Sequence, residues 1–390
     1  MNRMNFINLF DIICWDLNVY YLQPYILYNL KEIKKLCKKY KLYWDVNKII
    51  RLNLNIKTIN VNYERINNYI DALTNLKYLN LNDNNFDNFS KINNYSPTHL
   101  VCKNTNIEKI NIYIEKLIDL EYLNISNSNF INFFKFNDIY LTHLVCKNTN
   151  IKKIPNFLKL EILDCSNCKK LLSIPEIKTL KKLNCNNCNI YYIPNDLINL
   201  RKLKCSNCKN ITYLPKIRKI KYLNCSKTKY IKKIPKCLIK LKKLKFSECG
   251  YIKNIPIFHE SRKFMEEYFC KKNYSKISAL KILNCSYTNL TDIPKNLVNL
   301  EKLDCSNCEL LINIPKLIKL KILICYNTNI ITIPTLINLK ILNCSNCEYL
   351  EEIPKIVSLK YLDCSMTNII KIPKCLKNLK YLYTTQCYNF

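Results

Sequence analysis

Five Cys-x-x-Cys pairs, Cys165/Cys168, Cys185/Cys188, Cys205/Cys208, Cys305/Cys308 and Cys344/Cys347, are the residues of this 390-residue chain whose spacing could do chemistry. Thiols two residues apart ordinarily point to zinc ligation or to thiol–disulfide exchange. Their counterparts elsewhere in the sequence argue against both. The first cysteine's position is filled by Leu81, Ile125 and Phe246 in other copies of the surrounding pattern. The second is filled by Asn84, Ser128 and by Thr105, Thr149, Thr228, Thr288, Thr328 and Thr367. A metal site could not accept isoleucine and threonine in those columns. A small hydrophobe in the first column and a hydrogen-bonding group in the second satisfy every copy. The cysteines are therefore expected to be structural, with no cofactor and no metal. Thiols stacked at the ~5 Å spacing of strands lie within disulfide reach, which makes them vulnerable to oxidation.

Other catalytic chemistry finds little material. One glycine, Gly250, leaves no glycine-rich phosphate loop, and three histidines (His99, His143, His259) leave little for general base work. No nucleophile, base and orienting group can be assembled, so an enzyme is not expected. Charge is the stronger functional signal. Lys+Arg total 62 against 29 Asp+Glu, a net +33. Residues 177–256 hold 21 basic and two acidic side chains, Asp196 and Glu248. Blocks of one sign repel themselves and serve attraction of a partner of opposite sign. An AT-rich coding sequence would supply lysine, but it would supply Asp and Glu codons equally.

The elements that must position these groups follow from a period near 20 residues. Leu160-Glu-Ile-Leu163-Asp-Cys165 is followed by Leu180-Lys-Lys-Leu183-Asn-Cys185 and Leu200-Arg-Lys-Leu203-Lys-Cys205. The second leucine recurs from Leu79 to Leu382, with a first copy at Leu52, giving about sixteen units. Alternate strand residues face opposite sides, so Leu163 and Cys165 point inward while Ile162 and Asp164 point out. Eleven of the 13 prolines fall in Ile-Pro or Leu-Pro pairs after the strand, where a helix interior is disfavoured.

The unit L-x-x-L-x-L-x-x-N/C resembles the leucine-rich-repeat family, with repeats as short as those of bacterial effector proteins. That resemblance implies an α/β leucine-rich-repeat solenoid with a concave parallel β-sheet and an extended or 3₁₀ convex face. It also implies a non-catalytic protein–protein interaction scaffold. The Cys-Ser-Asn-Cys style of repeat resembles proteins of large DNA viruses, which implies the cytoplasm of an infected cell as working compartment.

The repeats occupy residues 49–390, interrupted or degenerate at 257–279, where a decayed repeat and an inserted arm are both open. Residues 1–48 carry none. Leu27, Leu30, Ile33, Leu36 and Tyr40 have helical spacing with lysines on the other face, a helical cap for the first repeat. The same segment resembles an F-box through Leu9-Phe10-Asp11, Leu22-x-Pro24 and Leu36-Cys37-Lys38-Lys39-Tyr40. That resemblance implies a ubiquitin-ligase substrate receptor docking its adaptor through residues 1–48.

An odd count of 23 cysteines without a signal peptide predicts an intracellular, cytoplasmic protein. No apolar run is long enough to span a membrane. The last strand predicts either a monomer or an end-to-end dimer. The partner-binding residues are read from the basic block. Outward strand positions Lys182, Lys202, Lys204, Tyr222, Lys243 and Lys245, flanked by Lys181, Arg201, Lys221 and Lys242, form a cationic row. An acidic protein surface is the expected partner. Nucleic acid is the rival, disfavoured because one tyrosine offers few stacking platforms for bases.

Overall fold

A leucine three residues after another, then an alternate small apolar residue, makes a strand with one wet and one dry face. In the computed structural model these strands form wherever the pattern occurs. It describes residues 51–53, 77–80, 82, 97–105, 117–133, 140–258 and 278–387. The chain divides into two units, residues 1–170 and 171–390.

The first unit carries β1 (Arg51–Asn53), β2 (Tyr78–Asn80), β3 (His99–Val101), β4 (Tyr122–Asn124), β5 (His143–Val145) and β6 (Ile162–Asp164). Each pairs in parallel with the next, and the central leucines oppose one another at every step. The second unit carries β7 (Lys182–Asn184), β8 (Lys202–Lys204), β9 (Tyr222–Asn224), β10 (Lys243–Lys245) and β11 (Ile282–Asn284). It continues with β12 (Lys302–Asp304), β13 (Ile322–Ile324), β14 (Ile341–Asn343), β15 (Tyr361–Asp363) and β16 (Tyr381–Tyr383). These too are parallel and in register. β10 pairs directly with β11, so the interval between Leu244 and Leu283 adds one strand and not two.

Packing explains the register. Leu183, Leu203, Leu223 and Leu244 are each no more than 1 % exposed. A one-residue slip would put every one of them in water, at about 1.5–3 kcal/mol per side chain. Cys185, Cys205, Cys225 and Phe246 fill the next inward column. Backbone pairing runs past each strand: Arg201 N–H donates to Lys181 O at 2.9 Å, and Cys205 N–H to Asn224 O at 2.8 Å. The residues flanking the strands are thus held in the same rows.

The return path is turns and extended chain. Buried Ile177, Ile193 and Ile217 anchor it, and tight bonds such as Leu200 N–H to Leu197 O at 2.9 Å turn it back toward the sheet. No helix, α or 3₁₀, occurs among the described residues. What is described is a parallel β-solenoid with the extended form of the expected convex face, because proline near mid-repeat and a 20-residue period leave no helical turn to form. The helical cap or F-box-like segment at 1–48 lies outside the described residues, as does the greater part of 257–279.

Candidate interaction surface

The turn after each of β3–β16 is set by a left-handed residue. Asn167, Asn187, Asn207, Asn307, Asn327 and Asn346 have φ between 54° and 62°. Asparagine tolerates this region better than other residues with a Cβ, and it does here what glycine does in glycine-rich chains. The amides also join successive repeats. Asn207 Nδ2 donates to Asn187 Oδ1 at 2.8 Å, and Asn346 Nδ2 to Asn327 Oδ1 at 2.7 Å.

The residue after it is the second column of the cysteine pattern. Thr288, Thr328 and Thr367 donate to carbonyls in their own repeat, Cys285 O, Cys325 O and Cys364 O, at 2.6–2.7 Å. Cys208, Cys308 and Cys347 donate to the preceding repeat instead, to Cys185 O, Cys285 O and Cys325 O at 3.0–3.1 Å. Threonine and cysteine are therefore interchangeable donors to one line of buried carbonyls. Burial pushes the Cys205, Cys305 and Cys344 thiols well above their ordinary range, which keeps them protonated and unreactive at neutral pH. Among the described residues, no three His, Cys, Asp or Glu side chains are grouped to hold a metal ion.

The structure brings the expected cationic residues together. Lys182 pairs with Lys202, and Lys202 and Lys243 both pair with Tyr222. In the second outward column Asn184, Lys204, Asn224 and Lys245 lie side by side. Lys181, Arg201, Lys221 and Lys242 form the column just before the strands, the last three exposed. Lys202 Nζ lies 5.3 Å from the Tyr222 ring centroid, a cation–π distance that holds the lysine over the sheet. Among the described residues none of Lys202, Lys204, Lys243 and Lys245 is in an ion pair. The block's two carboxylates offer them nothing: Glu248 pairs with Lys227 at 3.2 Å, and Asp196 is exposed on a turn.

Two further zones of the second unit escaped the sequence reading. Glu301 bridges Lys281 at 2.8 Å and Lys321 at 2.9 Å, and these lysines hold its carboxyl down to about 2. Asn284 Nδ2 donates to Asp304 Oδ2 at 2.8 Å beside it. Beyond this neutralised belt the outward positions are mostly apolar or aromatic, with Asn343 and Asp363 among them. In the first unit, His99 and His143 flank Tyr122 with ring centroids 5.6 and 6.0 Å away. The sequence signal for that stack is the decapeptide Thr-His-Leu-Val-Cys-Lys-Asn-Thr-Asn-Ile, identical at 98–107 and 142–151.

A stack of parallel strands about 20 residues apart, dry leucines inside and a polar outward face, defines a leucine-rich-repeat solenoid. Comparison with known proteins agrees. Residues 299–320 match the Leucine Rich Repeat family model. No curated protein matches the sequence. Among solved structures, the chain is similar to the functional domain of InlJ from Listeria monocytogenes, which includes a cysteine ladder. The identity is 20 %, the TM-score 0.58, and the match covers 80 % of this chain and 63 % of that one. YopM from Yersinia enterocolitica is similar at 17 % identity and TM-score 0.57, covering 79 % of this chain and 68 % of that one. A Leptospira interrogans leucine-rich-repeat protein is similar at 19 % identity and TM-score 0.53, covering 87 % and 85 %. The chain thus spans less than two thirds of the InlJ domain's length, and the likeness is one of fold.

Proposed function

We propose that this protein is a non-catalytic interaction scaffold that binds an acidic protein surface on the outward face of β7–β10. The observation that carries the reading is the set Lys202, Lys204, Lys243 and Lys245, in register on β8 and β10 across Tyr222 and Asn224 of β9 and without carboxylate partners among the described residues. The two lysine pairs stand about 10 Å apart, two ~4.8 Å strand steps, and repel one another, an arrangement that costs stability unless a partner offsets it. Thiols buried in the core columns fit a reducing compartment such as the cytoplasm.

The test is fluorescence anisotropy with a labelled polyglutamate peptide, the full chain, and a Lys202→Glu/Lys204→Glu/Lys243→Glu variant. The wild type should bind with an affinity that falls steeply with added salt, and the variant should not bind while keeping its circular dichroism spectrum. Binding that ignores both salt and charge reversal would overturn the reading. Tighter, equally salt-sensitive binding of single-stranded DNA of any sequence would turn it toward nucleic acid.

A further inference from the structure

The second unit's face changes character along its length in three steps. After the cationic strands comes the belt where Lys281, Glu301 and Lys321 neutralise one another and Asn284 bonds Asp304. From β13 six of the eight outward side chains are apolar or aromatic, Ile322, Ile324, Ile341, Tyr361, Tyr381 and Tyr383, with Asn343 and Asp363 among them. None of the six is buried, and Ile341, Tyr381 and Tyr383 are 36 %, 58 % and 47 % exposed. Ile324 stands in the column that holds Asn184, Asn224, Asn284 and Asn343 on other strands, so the fold does not require an apolar residue there. Tyr361 lies between Tyr381 and Tyr383, with ring centroids 6.3 and 5.5 Å away, which makes the aromatic end continuous. A contiguous apolar patch bordered by charge marks a binding surface.

We propose that β7–β16 recognise a bipartite ligand, an extended acidic peptide segment joined to an apolar or aromatic anchor, the acidic part on β7–β10 and the anchor on β13–β16. This rests on the acidic-partner reading and deepens it. Charge complementarity fixes the acidic part; the apolar zone carries Asp363 and no outward lysine on its strands, its lysines Lys340, Lys360 and Lys380 being confined to the flanking column. The neutral belt spans three strand steps between β10 and β13, about 14 Å at the spacing of paired strands. An extended spacer of about four residues covers that distance.

Four synthetic peptides test this against the full chain by anisotropy: a polyglutamate block, a short Leu/Phe block, and the two joined by a four-residue Gly/Ser spacer in each order. In at least one order the joined peptide should bind about tenfold or more tighter than the polyglutamate block, because the second contact becomes intramolecular. Ile324→Asn/Ile341→Thr should erase that gain and leave polyglutamate affinity unchanged. Asn already occupies the same column, so the fold tolerates it. Polyglutamate binding with no gain in either joined peptide would overturn the bipartite ligand and leave the acidic partner standing. Failure of polyglutamate itself to bind would remove both. A gain that survives the double substitution would place the anchor elsewhere and also overturn the proposal.

Discussion

Cys305 and Cys308 are two residues apart and chemically identical, yet they carry different loads. Cys305 is wholly buried in the inward column beside Leu303, whereas Cys308 donates to Cys285 O. Cys308→Ser should therefore cost little, about 1 kcal/mol or less, since a hydroxyl can make the same bond. Cys305→Ser should cost about 1–3 kcal/mol by placing a hydroxyl in an apolar slot. Thermal melts of the two variants under reducing conditions should rank in that order, and equal losses would contradict the division of roles. Met366 makes the complementary case. Its φ of 55° is strained for methionine, while Asn346 in the preceding repeat fills the same turn position with asparagine. Met366→Asn should raise the melting temperature, because it relieves about 1 kcal/mol of left-handed strain. No rise would show that the strain is absorbed elsewhere.

At the scale of strands and turns, Glu301 decides where the cationic zone stops. Its folded carboxyl value of about 2 lies below the ordinary 4.5, so the bridge to Lys281 and Lys321 is fully present above pH 4.5 and lost as pH falls toward 2. Because the group is exposed, its effect on stability is small; its effect on charge is not. Glu301→Gln at neutral pH releases two lysines next to β10–β13, and polyglutamate affinity should rise, most at low salt. Unchanged affinity would mean the acidic ligand never approaches β12. This element was half legible in advance. The strand leucines, their sixteen positions and the outward lysines could be read because a parallel stack repeats one local pattern with strict alternation. The Glu301 bridge could not, since Lys281, Glu301 and Lys321 are 20 residues apart and meet only through strand pairing. The left-handed asparagines were missed for a different reason. A chain with one glycine gives no conventional turn signal, and Glu248, Tyr287 and Met366 occupy the same conformation as asparagine.

For the whole molecule the proposal is one of location: an acidic partner on the sheet face rather than on the extended return path, where Lys232, Lys233 and Lys253 are also exposed. Charge alone cannot choose between them, because the basic block extends around the repeat. Register favours the sheet: its lysines lie in rows fixed by strand pairing, with Tyr222 holding Lys202 over the face. The most direct measurement is lysine footprinting by limited acetylation and peptide mapping, with and without saturating polyglutamate. Lys202, Lys204, Lys243 and Lys245 should be protected together, while Lys232, Lys233 and Lys253 stay as reactive as in the free protein. Protection of Lys232, Lys233 and Lys253 with the sheet lysines left reactive would contradict the assignment of the interaction surface.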